Sequence, residues 1–153
     1  MNRLLQFGWS LRRRLIGLLR LHTRGVKVML FNRRSELLLI RNGYGDTGLF
    51  VLPGGGIARR EEPLAAARRE LAEEVGIADA LLRHLGDYQT SAEGKRDHIA
   101  LFHGTTDQPL RIDGHEVSEA GFFPPGNLPQ ATSPATRRRV REWLDGGPFS
   151  GAW

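Results

Sequence analysis

The sequence predicts an α/β fold in which a mixed β-sheet lies between helical layers, with an amphipathic helix set ahead of it. Three observations lead there. Short apolar runs of strand length, bounded by glycine, proline and polar turns, fall before and after one strong helical segment. That segment, residues 63–75, opens on Pro63, stops at Gly76 and repeats apolar residues at Leu64, Ala67, Leu71 and Val75. A second helix signal, Ser133 as cap followed by Pro134, stands near the C-terminal end. Strands around one central helix, with another helix closing the chain, suit a sheet covered on both faces.

Taken in order, residues 3–21 form a basic amphipathic helix. Leu4, Leu11, Leu15 and Leu18 share one stripe, and Gln6, Ser10, Arg13 and Arg20 lie opposite. Packing on its own domain or in a homodimer is the favoured role. Contact with a membrane surface or with RNA through residues 3–21 is the alternative. Strands are predicted at 26–31 and 37–41, joined by the turn Asn32-Arg33-Arg34-Ser35. A glycine-rich loop at 42–48 precedes a short strand at 50–52, and Gly54-Gly55-Gly56 then lets backbone approach a ligand closely. The helix at 63–75 should turn its apolar stripe to the sheet and its acidic face away. Further strands are predicted at 81–85, 87–90, 98–104 and 121–123, with 91–97 as a polar loop. The last helix runs from 134 to 144 with Val140, Trp143 and Leu144 inward, and the residues after Gly146-Gly147-Pro148 should fray.

Composition excludes some functions. Among 153 residues there is no cysteine, so neither a disulfide scaffold nor a thiolate metal site is available, and a cytoplasmic location is expected. Of the 22 basic side chains six lie in residues 1–24, which hold no acid, leaving 16 against all 17 acids in the rest. The net charge of +5 therefore belongs to the N-terminal segment and gives no general nucleic-acid signal for the body. No apolar run approaches the roughly 20 residues of a membrane span, and arginines bracket the apolar run at 15–19, so no signal peptide is expected.

The chemistry concentrates in residues 55–77. Glu70, Glu73 and Glu74 are spaced i, i+3, i+4 and so share one helix face. Like charges so placed repel unless a cation joins them. A hard divalent cation with oxygen ligands is the natural partner, and magnesium is usual where the substrate carries phosphates. Gly55, Glu61, Arg69, Glu70, Leu71, Glu73, Glu74, Gly76 and Ile77 occupy every fixed position of the pattern G-x5-E-x7-R-E-U-x-E-E-x-G-U, with U bulky and apolar. By these residues the chain resembles the Nudix hydrolase family. The box spans 23 of 153 residues.

The resemblance implies an α/β/α sandwich, with residues 25–147 as the Nudix domain, 1–24 as the preceding helix and 148–153 as a tail. It implies a pyrophosphohydrolase using Mg2+ or Mn2+ that converts a nucleoside diphosphate linked to another group, X, into a nucleoside monophosphate and phospho-X. It also implies Glu70 and Glu74 as direct metal ligands, Glu73 on metal or on a metal-bound water, and the Gly54 carbonyl as a further ligand. Glu61 and Arg69 would pair to support the site. The general base is Glu116 as first choice, from the stretch 115–125 that resembles the family segment delivering such an acid. Glu119 stands second, and Glu93 and Asp97 behind both. Tyr44, Phe50 and Tyr88 could stack on a base, though packing explains each equally well.

Departures are few. Glu62 stands where the family commonly has a serine or threonine cap. Positions 91–95 read Ser-Ala-Glu-Gly-Lys and carry neither the proline of ADP-ribose-type relatives nor the tyrosine of dinucleoside-polyphosphate types. The rivals are cleavage at the 5′ end of RNA and a Nudix-fold module that binds a nucleotide without turnover. Retention of all the box acids argues against the module. The five histidines and the runs Arg12–Arg14 and Arg137–Arg139 read as packing or solvated surface.

Overall fold

The computed structural model describes residues 24–44, 48–92 and 95–153, with the side chains of 91, 92, 95 and 96 left aside. The amphipathic helix expected at 3–21 and the acid Glu93 lie outside the described residues. The chain runs β1 (Arg24–Phe31), β2 (Leu37–Asn42), β3 (Phe50–Val51), α1 (Pro63–Val75), β4 (Leu81–Ala92), β5 (Lys95–Thr105), β6 (Val117–Phe123), α2 (Pro134–Asp145) and β7 (Ser150–Ala152). The strands form one mixed sheet in the order β3-β2-β1-β5-β4-β7, with β6 also paired to β2. β1 runs parallel to β5 and antiparallel to β2.

Alternation along the strands divides the core in two. Val26, Val28 and Leu30 of β1 pack with Ala66, Ala67, Leu71 and Val75 of α1. Met29 and Phe31 pack on the other face with Val140 and Trp143 of α2. This is why β2 reads Leu-Leu-Leu-Ile without alternation: both of its faces are covered. Truncating Leu71, which is fully buried, would cost about 2–5 kcal/mol by loss of transfer energy and an unfilled cavity. Among the described residues no helix is long and apolar enough to cross a membrane.

The helix ends follow their local signals. α1 carries Pro63 in its first turn, has no side-chain cap from Glu62, and stops at Gly76, whose φ is 73°. In α2 the Ser133 hydroxyl accepts from Thr136 N at 3.2 Å. The β1–β2 turn is held by the Asn32 side chain, whose Oδ1 accepts from Arg34 N and Glu36 N at 2.9 and 3.0 Å.

Six expectations are overturned. The two strands predicted at 81–85 and 87–90 are one, bulged where the register passes from His84 to Gly86. The polar loop predicted at 91–97 is largely ladder, with Ser91 opposite Arg96 and Asp97 opposite Thr90, because backbone pairing continues regardless of side-chain polarity. β6 begins at Val117, earlier than predicted, through pairing with β2. The C-terminal end does not fray: Asp87–Gln89 pair in parallel with Ser150–Ala152, and Trp153 N donates to Gln89 O at 2.9 Å. In α2 Leu144 is exposed, whereas Arg139, from the run expected on the surface, is 2% exposed.

Candidate active site

The site forms where α1 meets the glycine turn. After β3 the chain runs back beside the start of β1: Val28 N donates to Pro53 O at 3.0 Å, Val26 N to Gly55 O at 2.9 Å and Ile57 N to Arg24 O at 3.0 Å. Gly54 has φ 136°, and a Cβ there would stand 2.1 Å from Val26 O, so only glycine fits. Its N–H donates to Glu74 Oε2 at 2.9 Å, which ties the last turn of α1 to the glycine segment. At Gly55 a Cβ would lie 2.7 Å from the Glu70 carboxylate, so the missing side chain is the room that carboxylate occupies.

Arg69 organises the other side. Its Nε and Nη2 donate to the two oxygens of Glu61 at 2.8 and 2.9 Å. Nη1 donates to Glu70 Oε1 at 2.7 Å, Nη2 also reaches Gly56 O at 3.0 Å, and Glu73 Oε2 lies 3.6 Å from Nη1. Glu61 Oε2 accepts in addition from Ala58 N at 2.8 Å, so the pair fixes the turn leading into α1. Hydrogen bonding to Glu61, opposed by burial and reinforced by Glu70, raises the guanidinium pKa further, and Arg69 stays charged at any working pH.

The acidic face does not point away from the body as its polarity predicts. Glu70 is 1% and Glu74 7% exposed, because the glycine turn folds over that face, Gly54 N donating to Glu74 and Gly55 leaving room for Glu70. One participant escapes a reading of the sequence. Lys27, in the middle of β1, donates from Nζ to Leu52 O at 3.0 Å and to Gly54 O at 3.3 Å. Burial lowers its pKa, and the charges of Glu74 and then Glu70 oppose that shift. The available signal is a lone lysine interrupting the apolar run Val26–Phe31.

The remaining candidates are spread out. Glu116 precedes β6 at the end of β2, where its carbonyl accepts from Gly43 N at 3.0 Å, and exposed Tyr44 adjoins that contact. Glu119 pairs with Arg41 at 3.2 Å, and the Arg41 guanidinium lies over the Phe50 ring at 4.3 Å. Two stacking candidates are corrected. Phe50 is 4% exposed and edge-on to Phe123, and Tyr88 is fully buried under α2 with its hydroxyl donating to Glu142 at 2.7 Å. Neither ring has a free face for a base. Asp97 sits in the β4–β5 ladder. Of the histidines, His84 and His98 flank Asp87 at 3.0 and 3.8 Å, and His103 packs on Trp143 with its pKa lowered by burial and by Arg83.

Among the described residues the turn therefore gathers the carboxylates Glu61, Glu70, Glu73 and Glu74 with Arg69 among them and Lys27 nearby. Oxygen donors of this kind suit a hard divalent ion. Among the described residues no three His, Asp or Glu side chains converge as a ready-made metal cage. Glu70 faces Arg69 and Glu74 faces Gly54 N, so a metal would take donors that now serve protein partners.

The NUDIX domain family model matches residues 21–144. An uncharacterized Nudix hydrolase of Pseudomonas aeruginosa is 40% identical over 131 residues, covering 80% of this chain and 78% of that protein. A Bacillus subtilis protein provisionally named 8-oxo-dGTP diphosphatase is 30% identical over 126 residues, covering 82% and 83%. The crystal structure of a MutT NUDIX hydrolase from Burkholderia pseudomallei superposes with a TM-score of 0.68 at 25% identity, over 77% of this chain and 95% of that one.

Proposed function

The chain belongs to the Nudix family and is a hydrolase of diphosphate bonds, and from that premise we propose that it cleaves a nucleoside diphosphate linked to a further group, X, with Mg2+ or Mn2+. The observation that carries the reading is the cluster of carboxylates that α1 packs against the glycine turn. Nudix hydrolases generally need divalent metals. Glu70, Glu73, Glu74 and the Gly54 carbonyl are the proposed donors. A bound metal would neutralise charge on the diphosphate oxygens as the bridging bond breaks.

The chain's own residues do the rest. Water attacks one phosphorus, the bridging P–O bond breaks, and nucleoside monophosphate and phospho-X leave. Glu116 is the proposed acceptor of the water proton; it is carried to the end of β2 by the Gly43 contact. Glu119, engaged by Arg41, is the less suitable base. Arg69 and Glu61 hold the turn so that the acids on α1 keep their geometry. Tyr44, exposed beside the Glu116 segment, is the proposed aromatic to stack on a base.

Nucleoside triphosphates are a second substrate class, favoured by the name of the Bacillus subtilis relative. A panel of nucleoside diphosphate derivatives, nucleoside triphosphates and 5′-triphosphorylated RNAs, assayed with each metal and read by product identity, separates the classes. Nucleoside monophosphate plus phospho-X from the first group is the expected outcome. Monophosphate plus pyrophosphate from triphosphates alone would move the assignment to the second class. No product from any compound would overturn the reading.

A further inference from the structure

We propose that Lys27 is a resident cation of the metal site: it holds the Gly54 carbonyl in place while the metal is absent, and it weakens metal binding by competing for that oxygen. This rests on the assignment of Gly54, Glu70, Glu73 and Glu74 as metal donors.

The position of Lys27 is imposed by the fold. The backbone bonds of its two neighbours, Val26 N to Gly55 O and Val28 N to Pro53 O, lock β1 against the glycine segment on either side of it. Its ammonium then donates to the carbonyls of Leu52 and Gly54, and it is only partly buried there. The same glycine segment receives the two buried glutamates, Glu74 through Gly54 N and Glu70 in the space left at Gly55. One oxygen, Gly54 O, thus faces an ammonium while the adjacent N–H faces a carboxylate. Arg69 neutralises Glu61 and Glu70 from the other side and reaches Glu73 only at 3.6 Å.

Two like-charged cations at one carbonyl repel. A divalent ion bound to Gly54 O must share that oxygen with the ammonium or displace it, and either way its affinity falls. Conversely, without metal, Lys27 sets a positive charge near Glu74 and Glu70 from the β1 side. A neutral residue of similar length removes both effects together.

The test is Lys27→Met, with Mn2+ binding measured by titration calorimetry and the melting temperature followed with and without Mn2+. The expected result is a Mn2+ dissociation constant lower by about tenfold. The metal-free melting temperature should fall, and the stabilisation on adding Mn2+ should exceed that of wild type. Unchanged or weaker Mn2+ binding overturns the proposal. If Lys27→Met does not fold alone, folding restored by Mn2+ supports it, and failure to fold in saturating Mn2+ overturns it. Glu74→Gln keeps the two ideas apart. Mn2+ affinity unaffected by Glu74→Gln removes the metal-site assignment itself. Affinity lost there but unmoved in Lys27→Met removes only the role of Lys27.

Discussion

Two charged clusters lie on the two sides of the sheet, and they are built differently. At α1, Glu61, Glu70 and Glu73 gather around Arg69, and Glu74 joins them through a backbone N–H of the glycine turn. Under α2, one arginine faces one glutamate: Arg139 donates to Glu142 Oε1 at 2.9 Å and to Ala152 O at 2.9 Å. It stacks over Tyr88 at 4.2 Å and near Trp153 at 5.1 Å, while Tyr88 donates to the second oxygen of Glu142. The α2 cluster pairs one guanidinium with one carboxylate and pins β7 to the sheet, with Arg139 Nε left buried and without a hydrogen bond among the described residues. The α1 cluster instead brings several carboxylates to one turn, where Gly54 N donates to Glu74. A single ion pair under a helix marks a structural device, and several hard oxygen donors gathered at one turn mark a place suited to a divalent cation.

The largest effect that sharpens this contrast is on turnover. Glu74→Gln can still accept from Gly54 N but removes one negative charge from the cluster. Turnover should fall on the order of 10²-fold or more, while the melting temperature holds or rises because a like-charge repulsion is relieved. Measured together, a loss of activity that merely follows a loss of fold would break the comparison.

On the α2 side the outcomes reverse. Arg139→Ala takes the guanidinium from part-buried Glu142, which keeps only the Tyr88 hydroxyl of this cluster, and removes the stacking on Tyr88, and should destabilise by about 2–3 kcal/mol. The fraction that stays folded should turn over at the wild-type rate. Replacing Arg139 and Glu142 together by apolar residues should recover part of the stability, which a double-mutant cycle in denaturant measures.

The contrast also explains what could be read in advance. The box acids and their helix are local: offsets of three and four residues define one face without knowledge of the fold. Lys27 meets Gly54 across 27 residues, and Tyr88 meets Glu142 across 54, so one depends on how the glycine turn runs beside β1 and the other on how α2 packs on the sheet, which one sequence does not display. Burial of the acidic face needed the glycine turn to fold back over it, a tertiary event. Arg139 was closer to legible: with Thr136, Val140 and Trp143 it falls on one helical stripe, and the arginine run around it obscured the period. The polar stretch between β4 and β5 misled because ladder pairing needs no apolar residues.

A finer test compares the two arginines. Arg69→Lys retains a positive charge but gives up the two-pronged grip on Glu61. Turnover should drop by about tenfold as the turn into α1 loosens, with a stability loss of about 1–2 kcal/mol. Equal losses in Arg69→Lys and Arg69→Ala would show that the fork geometry is irrelevant.

The smallest effect is Tyr88→Phe, which removes one hydrogen bond from the α2 cluster and should cost about 1 kcal/mol without touching turnover. Its pH dependence carries the sign. Burial, then the hydrogen bond to Glu142, raises the Tyr88 pKa above its ordinary value of 10.0, so the folded state favours the neutral phenol. The unfolded chain ionises first as pH rises. The stability that Tyr88 contributes is therefore fully present below pH 10 and is lost above it. Denaturation midpoints of wild type and Tyr88→Phe should differ by a constant amount through neutral pH and converge in strong alkali. A gap that widened with alkali would mean that the phenolate is stabilised in the fold, and Arg139 would then outweigh Glu142 in the cluster.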